Sequence, residues 1–219
     1  MSARRTADRP GAEDLGFIHR FERGAGDPTL LLLHGTGGDE NDLIPIGKQL
    51  APRANLLSPR GQVLENGMPR FFERLAVGVF NEADLKERAD ELGRFVRAAS
   101  ARYGFDPGRV YALGFSNGAN VAAAMLLLDG ALLAGAALLR AILPLEPPGT
   151  PDLTGKPVLI AAGRNDPYAP HDRVQALAQR LQRAGASVDL RWAQADHSLV
   201  PSDFKAVADW AATVTSPSR

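Results

Sequence analysis

A serine flanked by glycines is the first feature of this sequence that could do chemistry. Residues 114–118 read G-F-S-N-G, with Ser116 at the centre. The apolar run 110–115 predicts a strand and the apolar residues from Asn117 onwards predict a buried helix, so Ser116 lies at a sharp turn between them. Such a turn pushes the hydroxyl out of the sheet, beside a helix N-terminus, where a serine can act as a nucleophile. The alternative is a glycine-rich turn that contains a serine by coincidence.

A serine hydroxyl needs a base that removes its proton, and histidine is the side chain most often used. The sequence contains four histidines. His197 is the best placed, because it follows the last predicted strand, and loops at the carboxyl ends of parallel strands gather at one edge of a sheet. His34 follows an earlier strand and suits a structural or oxyanion-loop role, whereas His19 and His171 are expected at the surface. A surface position for His197 is the alternative.

The histidine in turn needs an acid that orients its ring. In the chain order serine, acid, histidine, this acid lies between residues 116 and 197. Asp166 stands out because it comes just beyond the apolar run 158–162, in the turn G-R-N-D-P. Asp196 adjoins His197, but consecutive side chains point apart in an extended segment. Asp166 as a simple turn residue is the alternative. The other acids that satisfy the order are Asp129, Glu146, Asp152, Asp172 and Asp189.

Acyl transfer also needs N–H donors for the negative charge that develops on the carbonyl oxygen. The backbone N–H of Asn117, directly after the nucleophile, is the first expected donor. Residues 34–38 read H-G-T-G-G after the predicted strand 29–33, and Thr36 is the second expected donor. A phosphate-binding loop is the rival interpretation of these glycines. It lacks the lysine of a Walker motif and the G-x-G-x-x-G spacing of a dinucleotide site.

The composition narrows the classes of function. Of the 219 residues, 45% are apolar and 23% are charged, which is typical of a globular protein. Lys plus Arg and Asp plus Glu number 25 each, so no strong attraction to nucleic acid or to an anionic membrane is expected. There is no cysteine, and the histidines lack a metal-binding spacing such as H-E-x-x-H. We therefore expect no disulfide, no cysteine nucleophile, no metal and no cofactor.

Short apolar runs alternate with helix-like segments along the chain. Most of the runs lack polar alternation, as strands buried on both faces do. Predicted strands cover residues 17–21, 29–33, 55–58, 110–115, 134–139, 158–163 and 188–193. Predicted helices with apolar stripes cover residues 85–103, 174–184 and 204–214, and residues 117–128 are apolar nearly all round. This order predicts an α/β fold, with a mostly parallel central sheet and helices on both faces.

One catalytic domain over residues 15–215 is expected, preceded by a flexible polar tail, residues 1–14. The tail has no apolar segment typical of a secretory signal, and the apolar stretch 131–145 is too short to span a bilayer. A cytoplasmic location is therefore expected. Two segments rich in proline and glycine, 59–69 and 144–157, are predicted to be loops over the site, with no large cap domain.

Together these motifs resemble the phospholipase/carboxylesterase family of small α/β-hydrolases. The similar segments are the oxyanion loop L-H-G-T-G-G at 33–38, the elbow G-F-S-N-G at 114–118, the turn G-R-N-D-P at 163–167 and the histidine loop H-S-L at 197–199. The resemblance extends over residues 29–200, most of the chain, and implies the α/β-hydrolase fold. M-P-R-F-F at 68–72 and G-V-F at 78–80 also resemble a subgroup related to bacterial hydroquinone-stress esterases.

The resemblance implies a catalytic triad and two oxyanion donors. These are Ser116, Asp166 and His197, and the backbone N–H groups of Thr36 and Asn117. The sequence departs from the family in two places, with Asp196 where members often carry glycine and with Asn117 where the acyl-protein thioesterase branch commonly has glutamine. The second departure weakens a thioesterase interpretation. Dienelactone hydrolases, a neighbouring family, use a cysteine that this chain lacks.

The expected function is hydrolysis of small to medium carboxylic esters, and the expected partner is the small-molecule ester. One alternative is a lysophospholipase or acyl thioesterase with the same triad and a longer groove. The other is a non-catalytic binding protein on a hydrolase scaffold. A homodimer is left open. Apolar residues predicted for the pocket wall, which would look the same in the core, are Phe71, Phe72, Leu143, Tyr168 and Leu199.

Overall fold

The computed structural model describes residues 15–215. The flexible tail predicted for residues 1–14 lies outside the described residues. The strands are β1 His19–Glu22, β2 Gly26–Leu33, β3 Ala54–Pro59, β4 Val63–Glu65, β5 Met68–Arg70, β6 Arg74–Ala76, β7 Val79–Phe80, β8 Val110–Phe115, β9 Gly135–Leu139, β10 Pro157–Gly163 and β11 Ser187–Ala193. The helices are α1 Ile44–Leu50, α2 Glu82–Tyr103, α3 Asn117–Leu128, α4 His171–Arg183 and α5 Pro201–Thr215, with a 3₁₀ turn at Pro107–Arg109.

Seven of these strands form one central sheet in the order β1-β3-β2-β8-β9-β10-β11. The six strands from β3 to β11 in this order pair in parallel, and only β1 at the edge is antiparallel. The prediction of a mostly parallel sheet is confirmed. All carboxyl ends of the parallel strands lie at one edge of the sheet, where the loops carrying the candidate catalytic residues begin.

The sheet has a hydrophobic core on each face. Leu31 and Leu33 belong to the core formed with α2, α3 and α4, whereas Leu30 and Leu32 belong to the core formed with α1 and α5. This alternation follows from the two-residue period of a strand. Burying each leucine contributes about 1.5–3 kcal/mol. Because both faces are buried, the strand reads as a continuous apolar run, and the prediction of helices on both faces is confirmed.

The longest helix, α2, has clear signals at both ends. Asn81 precedes it, and its side-chain oxygen accepts a hydrogen bond from the N–H of Asp84 at 3.2 Å. Gly104 follows its last residue in the left-handed conformation, with φ 68°. The stripe from Leu85 to Ala99 is buried in the core that α2 shares with α3. The prediction of this helix from its apolar period is confirmed.

Two short hairpins follow β3, and the first of them lies in the predicted loop 59–69. Strands β4 and β5 pair around a turn at Asn66 and Gly67, which have φ of 51° and 80°. This is the conformation that a two-residue type I′ hairpin requires. Strands β6 and β7 form the second hairpin. Residues 59–69 were expected to be irregular, so that part of the prediction is wrong.

The other predicted loop, residues 144–157, contains no helix or strand before Pro157, where β10 begins. Within residues 15–215, no inserted unit forms a large cap over the sheet, as predicted. No helix among the described residues has the length and apolar character needed to cross a membrane.

Candidate active site

Ser116 occupies a strained turn between β8 and α3. Its φ of 53° and ψ of −113° lie outside the regions that residues with a side chain normally adopt, at a cost of about 1–3 kcal/mol. Its N–H donates to the carbonyl of Leu139 at 2.8 Å, and its own carbonyl accepts from the N–H of Asn120 at 3.0 Å. These two bonds hold the turn in place.

Two glycines allow the strand and the helix to approach each other at this turn. A Cβ atom on Gly114 would lie 2.6 Å from the carbonyl oxygen of Gly118. A Cβ atom on Gly118 would lie 2.0 Å from the carbonyl oxygen of Leu33 in β2. Neither position accepts a side chain without a backbone shift. The glycines two before and two after Ser116 are therefore required by packing, as the motif predicts.

Ser116, His197 and Asp166 form a continuous hydrogen-bonded chain. The distance from Ser116 Oγ to His197 Nε2 is 2.7 Å, and the distance from His197 Nδ1 to Asp166 Oδ2 is also 2.7 Å. Because an ionised carboxylate only accepts hydrogen bonds, Nδ1 carries the proton and Nε2 accepts from the serine hydroxyl. Ser116 lies 81 residues before His197 in sequence, and Asp166 lies 31 residues before it. The three side chains therefore come from separate loops. This is the geometry that a serine nucleophile with its base and orienting acid requires.

The two acids that compete for His197 have different environments. The Asp166 side chain is fully buried, and its second oxygen accepts from the N–H of Tyr168 at 2.8 Å. Asp196 is exposed, and its carboxylate accepts from the N–H of Ser198 at 2.8 Å. This hydrogen bond holds the pKa of the Asp196 carboxyl below its usual value. Asp166 is thus the residue that contacts the imidazole, and Asp196 caps the turn next to it.

The loop after β10 is attached directly to the loop after β11. The N–H of Arg164 donates to the carbonyl of Ala193 at 2.9 Å, and the N–H of Asn165 donates to the carbonyl of Ala195 at 3.0 Å. A Cβ atom on Gly163 would lie 2.3 Å from the carbonyl oxygen of Asp196. These contacts fix the separation of the two loops and so bring the carboxylate to the imidazole.

The two residues predicted to bind an oxyanion through their backbone N–H groups line the same cavity as Ser116. Asn117 is the first residue of α3, so its N–H has no partner within the helix. Thr36 lines the same cavity as Ser116, and its N–H has no acceptor among the described residues. The next N–H in the loop, that of Gly37, is already donated to the carbonyl of Pro69 at 2.9 Å. The two donors predicted from the sequence are therefore free to bind a ligand.

The His34 side chain connects the loop 34–38 to Gly61 by hydrogen bonds. Its ring is buried, with Nδ1 2.6 Å from the carbonyl oxygen of Gly35, and its Nε2 accepts from the N–H of Gly61 at 3.0 Å. Burial lowers the pKa of the His34 imidazole, which favours the neutral tautomer that these two bonds need. The structural role considered for His34 agrees with this position.

Strand β5 and the residue after it connect the oxyanion loop to the nucleophile turn. The Arg70 guanidinium donates to Thr36 Oγ1 at 2.6 Å. The N–H of Phe71 donates to Asn117 Oδ1 at 2.7 Å. Both candidate oxyanion donors are thereby tied to the same hairpin, which the sequence did not predict.

A cavity of about 300 Å³ opens over the serine. Polar side chains and arginines form much of its wall. The residues that line it are Thr36, Arg70, Arg74, Gly78, Phe80, Phe115, Ser116, Asn117, Asn120, Arg140, Tyr168 and His197. Phe115 and Tyr168 flank the imidazole of His197, with ring centroids 5.5 and 5.0 Å from it.

Comparison with known proteins identifies the family of this chain. The phospholipase/carboxylesterase family matches residues 22–215, nearly all of the described chain. The chain belongs to this family. The fold and the family predicted from its motifs are thereby confirmed.

Relatives within the phospholipase/carboxylesterase family cover almost the full chain. The Bacillus subtilis protein MhqD is 44% identical over 192 residues, which are 88% of this chain and 96% of MhqD. The crystal structure of the Bacillus cereus carboxylesterase has a TM-score of 0.90 at 40% identity, covering 93% of this chain and 97% of that one. A carboxylesterase from Mesorhizobium loti has a TM-score of 0.84 at 33% identity, covering 91% and 96%. The chain is therefore a hydrolase with the fold of these carboxylesterases.

Most of the residues predicted for the pocket wall are not among those that line the cavity over Ser116. Phe71 and Phe72 are fully buried in the core, where their rings contact His34 and Phe80, with centroids 4.7 and 5.0 Å apart. Leu143 and Leu199 pack against the two cores and are not among the residues that line the cavity. Of the predicted set, only Tyr168 does so. Large apolar side chains gain more from the core than from a polar cavity.

The loop 144–156 was also expected over the site. Its residues Glu146 and Pro148 instead line a separate cavity beside α2 and α3, and none of its residues lines the cavity over Ser116. The segment that does cover the site is the pair of hairpins β4 to β7, which contributes Arg70, Arg74 and Phe80.

Arg140 is a buried residue of the site that the sequence interpretation missed. Its side chain is fully buried and forms an ion pair with Asp203 at 2.6 Å. The remaining donors bind the carbonyls of Ala161, Asp196 and Ser198 at 3.1, 3.1 and 2.6 Å. Two of these carbonyls belong to the residues on either side of His197.

No group of three or more histidine, cysteine, aspartate or glutamate side chains in residues 15–215 is arranged to hold a metal ion. The metal-free site expected from the sequence remains a prediction.

Proposed function

We propose that this hydrolase is a serine carboxylesterase acting on small to medium esters. The observation that carries the proposal is the hydrogen-bonded chain from Ser116 through His197 to the buried Asp166, at 2.7 Å in each step. It opens into a cavity that also contains two free N–H donors. A nucleophile, a base, an orienting acid and N–H donors are the groups that acyl transfer uses.

The reaction has two steps. In the first, Ser116 Oγ attacks the ester carbonyl while His197 Nε2 takes its proton and then passes it to the leaving alcohol. In the second, His197 takes a proton from water, which attacks the acyl group on Ser116. His197 then returns this proton to Ser116 Oγ as the bond to the acyl group breaks and the acid is released. The N–H groups of Thr36 and Asn117 stabilise the oxyanion in both steps, at about 3–4 kcal/mol for one donor.

The size of the cavity favours small esters over lipids. About 300 Å³ is at the lower end of the range for small-molecule sites. A lysophospholipase or long-chain thioesterase needs a longer apolar groove, which this lining of arginines and amides does not offer. A non-catalytic binding protein would not need a serine, a histidine and an acid within hydrogen-bonding distance. A cytoplasmic location and a homodimer remain predictions from the sequence.

A series of p-nitrophenyl esters tests this function. We expect kcat/KM to be highest for acetate and butyrate and to fall at least about tenfold for palmitate, because a cavity of about 300 Å³ is too small to hold a long acyl chain. A matched butyryl thioester, assayed in parallel, measures the preference for oxygen over sulfur esters. A rise in kcat/KM through octanoate to palmitate would favour a lysophospholipase or acyl thioesterase instead.

A further inference from the structure

The charged side chains that line the cavity over Ser116 are all hydrogen-bond donors. They are three arginines, namely Arg70, Arg74 and Arg140. Arg140 has each of its guanidinium nitrogens bonded within the protein. Arg70 and Arg74 are therefore the two cations that could bind a ligand.

Arg70 is buried, with 3% of its surface exposed, yet its guanidinium is only partly satisfied. Its Nε donates to the carbonyl of Phe72 at 3.2 Å, and its Nη1 donates to Thr36 Oγ1 at 2.6 Å and to Glu65 at 3.0 Å. Its Nη2 has no acceptor among the described residues and is not fully buried, since the buried side-chain atoms without a partner there are Asn117 Nδ2 and Arg180 Nε. Arg70 lines the cavity, so this donor is available to a ligand in it.

Arg74 adds further donors next to it. Its Nε donates to Glu65 Oε1 at 2.7 Å, while its Nη1 and Nη2 have no acceptor within residues 15–215. Glu65 is the shared partner of both arginines. One carboxylate therefore faces two guanidinium groups, and this cluster of Glu65, Arg70 and Arg74 has a net charge of +1.

Asn117 contributes a third kind of donor to the same wall. Its Oδ1 accepts from the N–H of Phe71 at 2.7 Å, which fixes the orientation of the amide. Its Nδ2 is buried and has no hydrogen-bond partner. The cavity thus has several donors that lack acceptors.

We infer that Arg70 and Arg74 bind a carboxylate carried by the ester substrate, so that the preferred substrates are half-esters of dicarboxylic acids or esters of hydroxy acids. This inference rests on the proposed function. A carboxylate fits better than a phosphate because a monoanion balances a net charge of +1. Its two oxygens also match the donor geometry of a guanidinium. A cavity of about 300 Å³ holds a short ester of this kind.

Matched pairs of esters test the inference. Ethyl hydrogen succinate and ethyl succinamate differ only in a carboxylate or an amide on the acyl side, and O-acetylglycolate and O-acetylglycolamide differ likewise on the alcohol side. Each kcat/KM is divided by the rate of hydroxide-catalysed hydrolysis of the same ester, which removes differences in intrinsic reactivity. We expect the carboxylate member of at least one pair to be preferred at least about tenfold, since a hydrogen bond to a charged group has this effect.

Three variants then assign the preference to these residues. Arg74→Gln should lower the carboxylate-to-amide ratio by about tenfold. Glu65→Gln should raise the ratio, because it removes the carboxylate that competes for both arginines. Arg97→Gln, on the exposed surface of α2, is the matched control and should leave the ratio unchanged.

The outcomes separate this inference from the proposed function. If p-nitrophenyl butyrate is hydrolysed through Ser116 but neither pair shows a preference, or if Arg74→Gln leaves the preference intact, the carboxylate site is refuted and the esterase stands. If no ester of any kind is hydrolysed, the proposed function itself fails. Competitive inhibition by succinate, reduced in Arg74→Gln, is an independent measure of binding that we expect to follow the same order.

A second inference follows from Arg140, independently of the first. Arg140 follows β9 with φ 60°, a conformation that is unfavourable for arginine. Its guanidinium holds the carbonyls of Asp196 and Ser198, and its partner Asp203 also accepts from the N–H of Val200 at 2.8 Å. We propose that this ion pair is a positioning device that holds the loop of His197 at the correct distance from Ser116.

A double substitution separates positioning from stability. Arg140→Met combined with Asp203→Leu leaves no buried charge unpaired. It does remove the donor to the carbonyls of Ala161, Asp196 and Ser198, so Tm should fall, and activity is measured well below the Tm of the variant. We expect kcat for p-nitrophenyl butyrate to fall about a hundredfold with KM little changed. Activity within threefold of the wild type in the folded double variant would overturn the proposal.

The conservative variant Arg140→Lys gives a second measurement if the double variant does not fold. Lysine keeps the charge next to Asp203 but lacks the planar fork that reaches both carbonyls. We expect kcat to fall at least about tenfold while the folded protein keeps a cooperative melting transition. Wild-type kcat in this variant would also overturn the proposal.

Discussion

Ser116→Ala is expected to remove nearly all esterase activity, with kcat for p-nitrophenyl butyrate falling by about 10⁵–10⁶-fold, as for the nucleophile of other serine hydrolases. The hydroxyl is the only group lost, and its hydrogen-bond partner is His197 at 2.7 Å. The backbone bonds that hold the turn are unaffected, so Tm should stay near that of the wild type. Initial rates and a thermal melt measure both quantities.

A matched control for this prediction is Ser187→Ala at the exposed start of β11, which should keep wild-type activity. Residual activity of more than a few per cent in Ser116→Ala would mean that another residue is the nucleophile. A large loss of Tm in that variant would mean that the turn depends on the hydroxyl for its structure.

Asp166→Asn is expected to lower kcat by about 10⁴-fold, as the comparable change does in a serine protease. The amide can donate a hydrogen bond to the histidine ring, which favours the tautomer with the proton on Nε2. That nitrogen then cannot accept the proton of Ser116. KM should change little, because Asp166 is fully buried behind the imidazole and does not line the cavity.

Asp196→Asn is the matched control for the acid, because Asp196 is the residue adjacent to His197 in sequence. It is exposed and caps the N–H of Ser198, a role that asparagine also fills. We expect kcat to fall less than about tenfold, within the range of a lost surface interaction. If Asp196→Asn is the more damaging of the two changes, the assignment of the orienting acid is wrong.

The sheet could be predicted from the sequence because its strands are buried on both faces. Runs such as 29–33 and 110–115 are short, continuous apolar segments bounded by turn residues, and this pattern is typical of strands in a parallel sheet. Helix α1 was missed because it has only seven residues, including Pro45 and Gly47, too few for a periodic pattern. The hairpin of β4 and β5 was missed although its Asn66 and Gly67 are the usual signal of such a turn.

The triad could also be predicted, because each of its members follows a recognisable strand. Chain order and position after a strand were enough to select Asp166 and His197, and the structure brings both to Ser116. The roles of these residues in catalysis remain part of the proposed function. The order of strands and helices predicts a parallel sheet, and the carboxyl ends of parallel strands meet at one edge. The loops that carry the three residues are therefore expected to lie together.

The wall of the cavity could not be predicted, because it depends on which side chains of the hairpins face inward. Arg70 and Phe71 are neighbours in sequence, yet Arg70 lines the cavity and Phe71 lies in the core. Arg140 interrupts an apolar stretch, and its partner Asp203 is 63 residues away. The sequence does not show that Arg140 is buried and paired, because its acceptors lie in three separate segments of the chain.

The most direct test of the serine esterase mechanism is the site of a covalent adduct. We expect a fluorophosphonate to add once per chain, with peptide mapping by mass spectrometry placing the adduct on Ser116. Labelling should be absent in Ser116→Ala and in the heat-denatured protein, and much slower in Asp166→Asn, because the native triad activates the serine. An adduct on a different residue, or ester hydrolysis by a chain that never forms an adduct on Ser116, would contradict this mechanism.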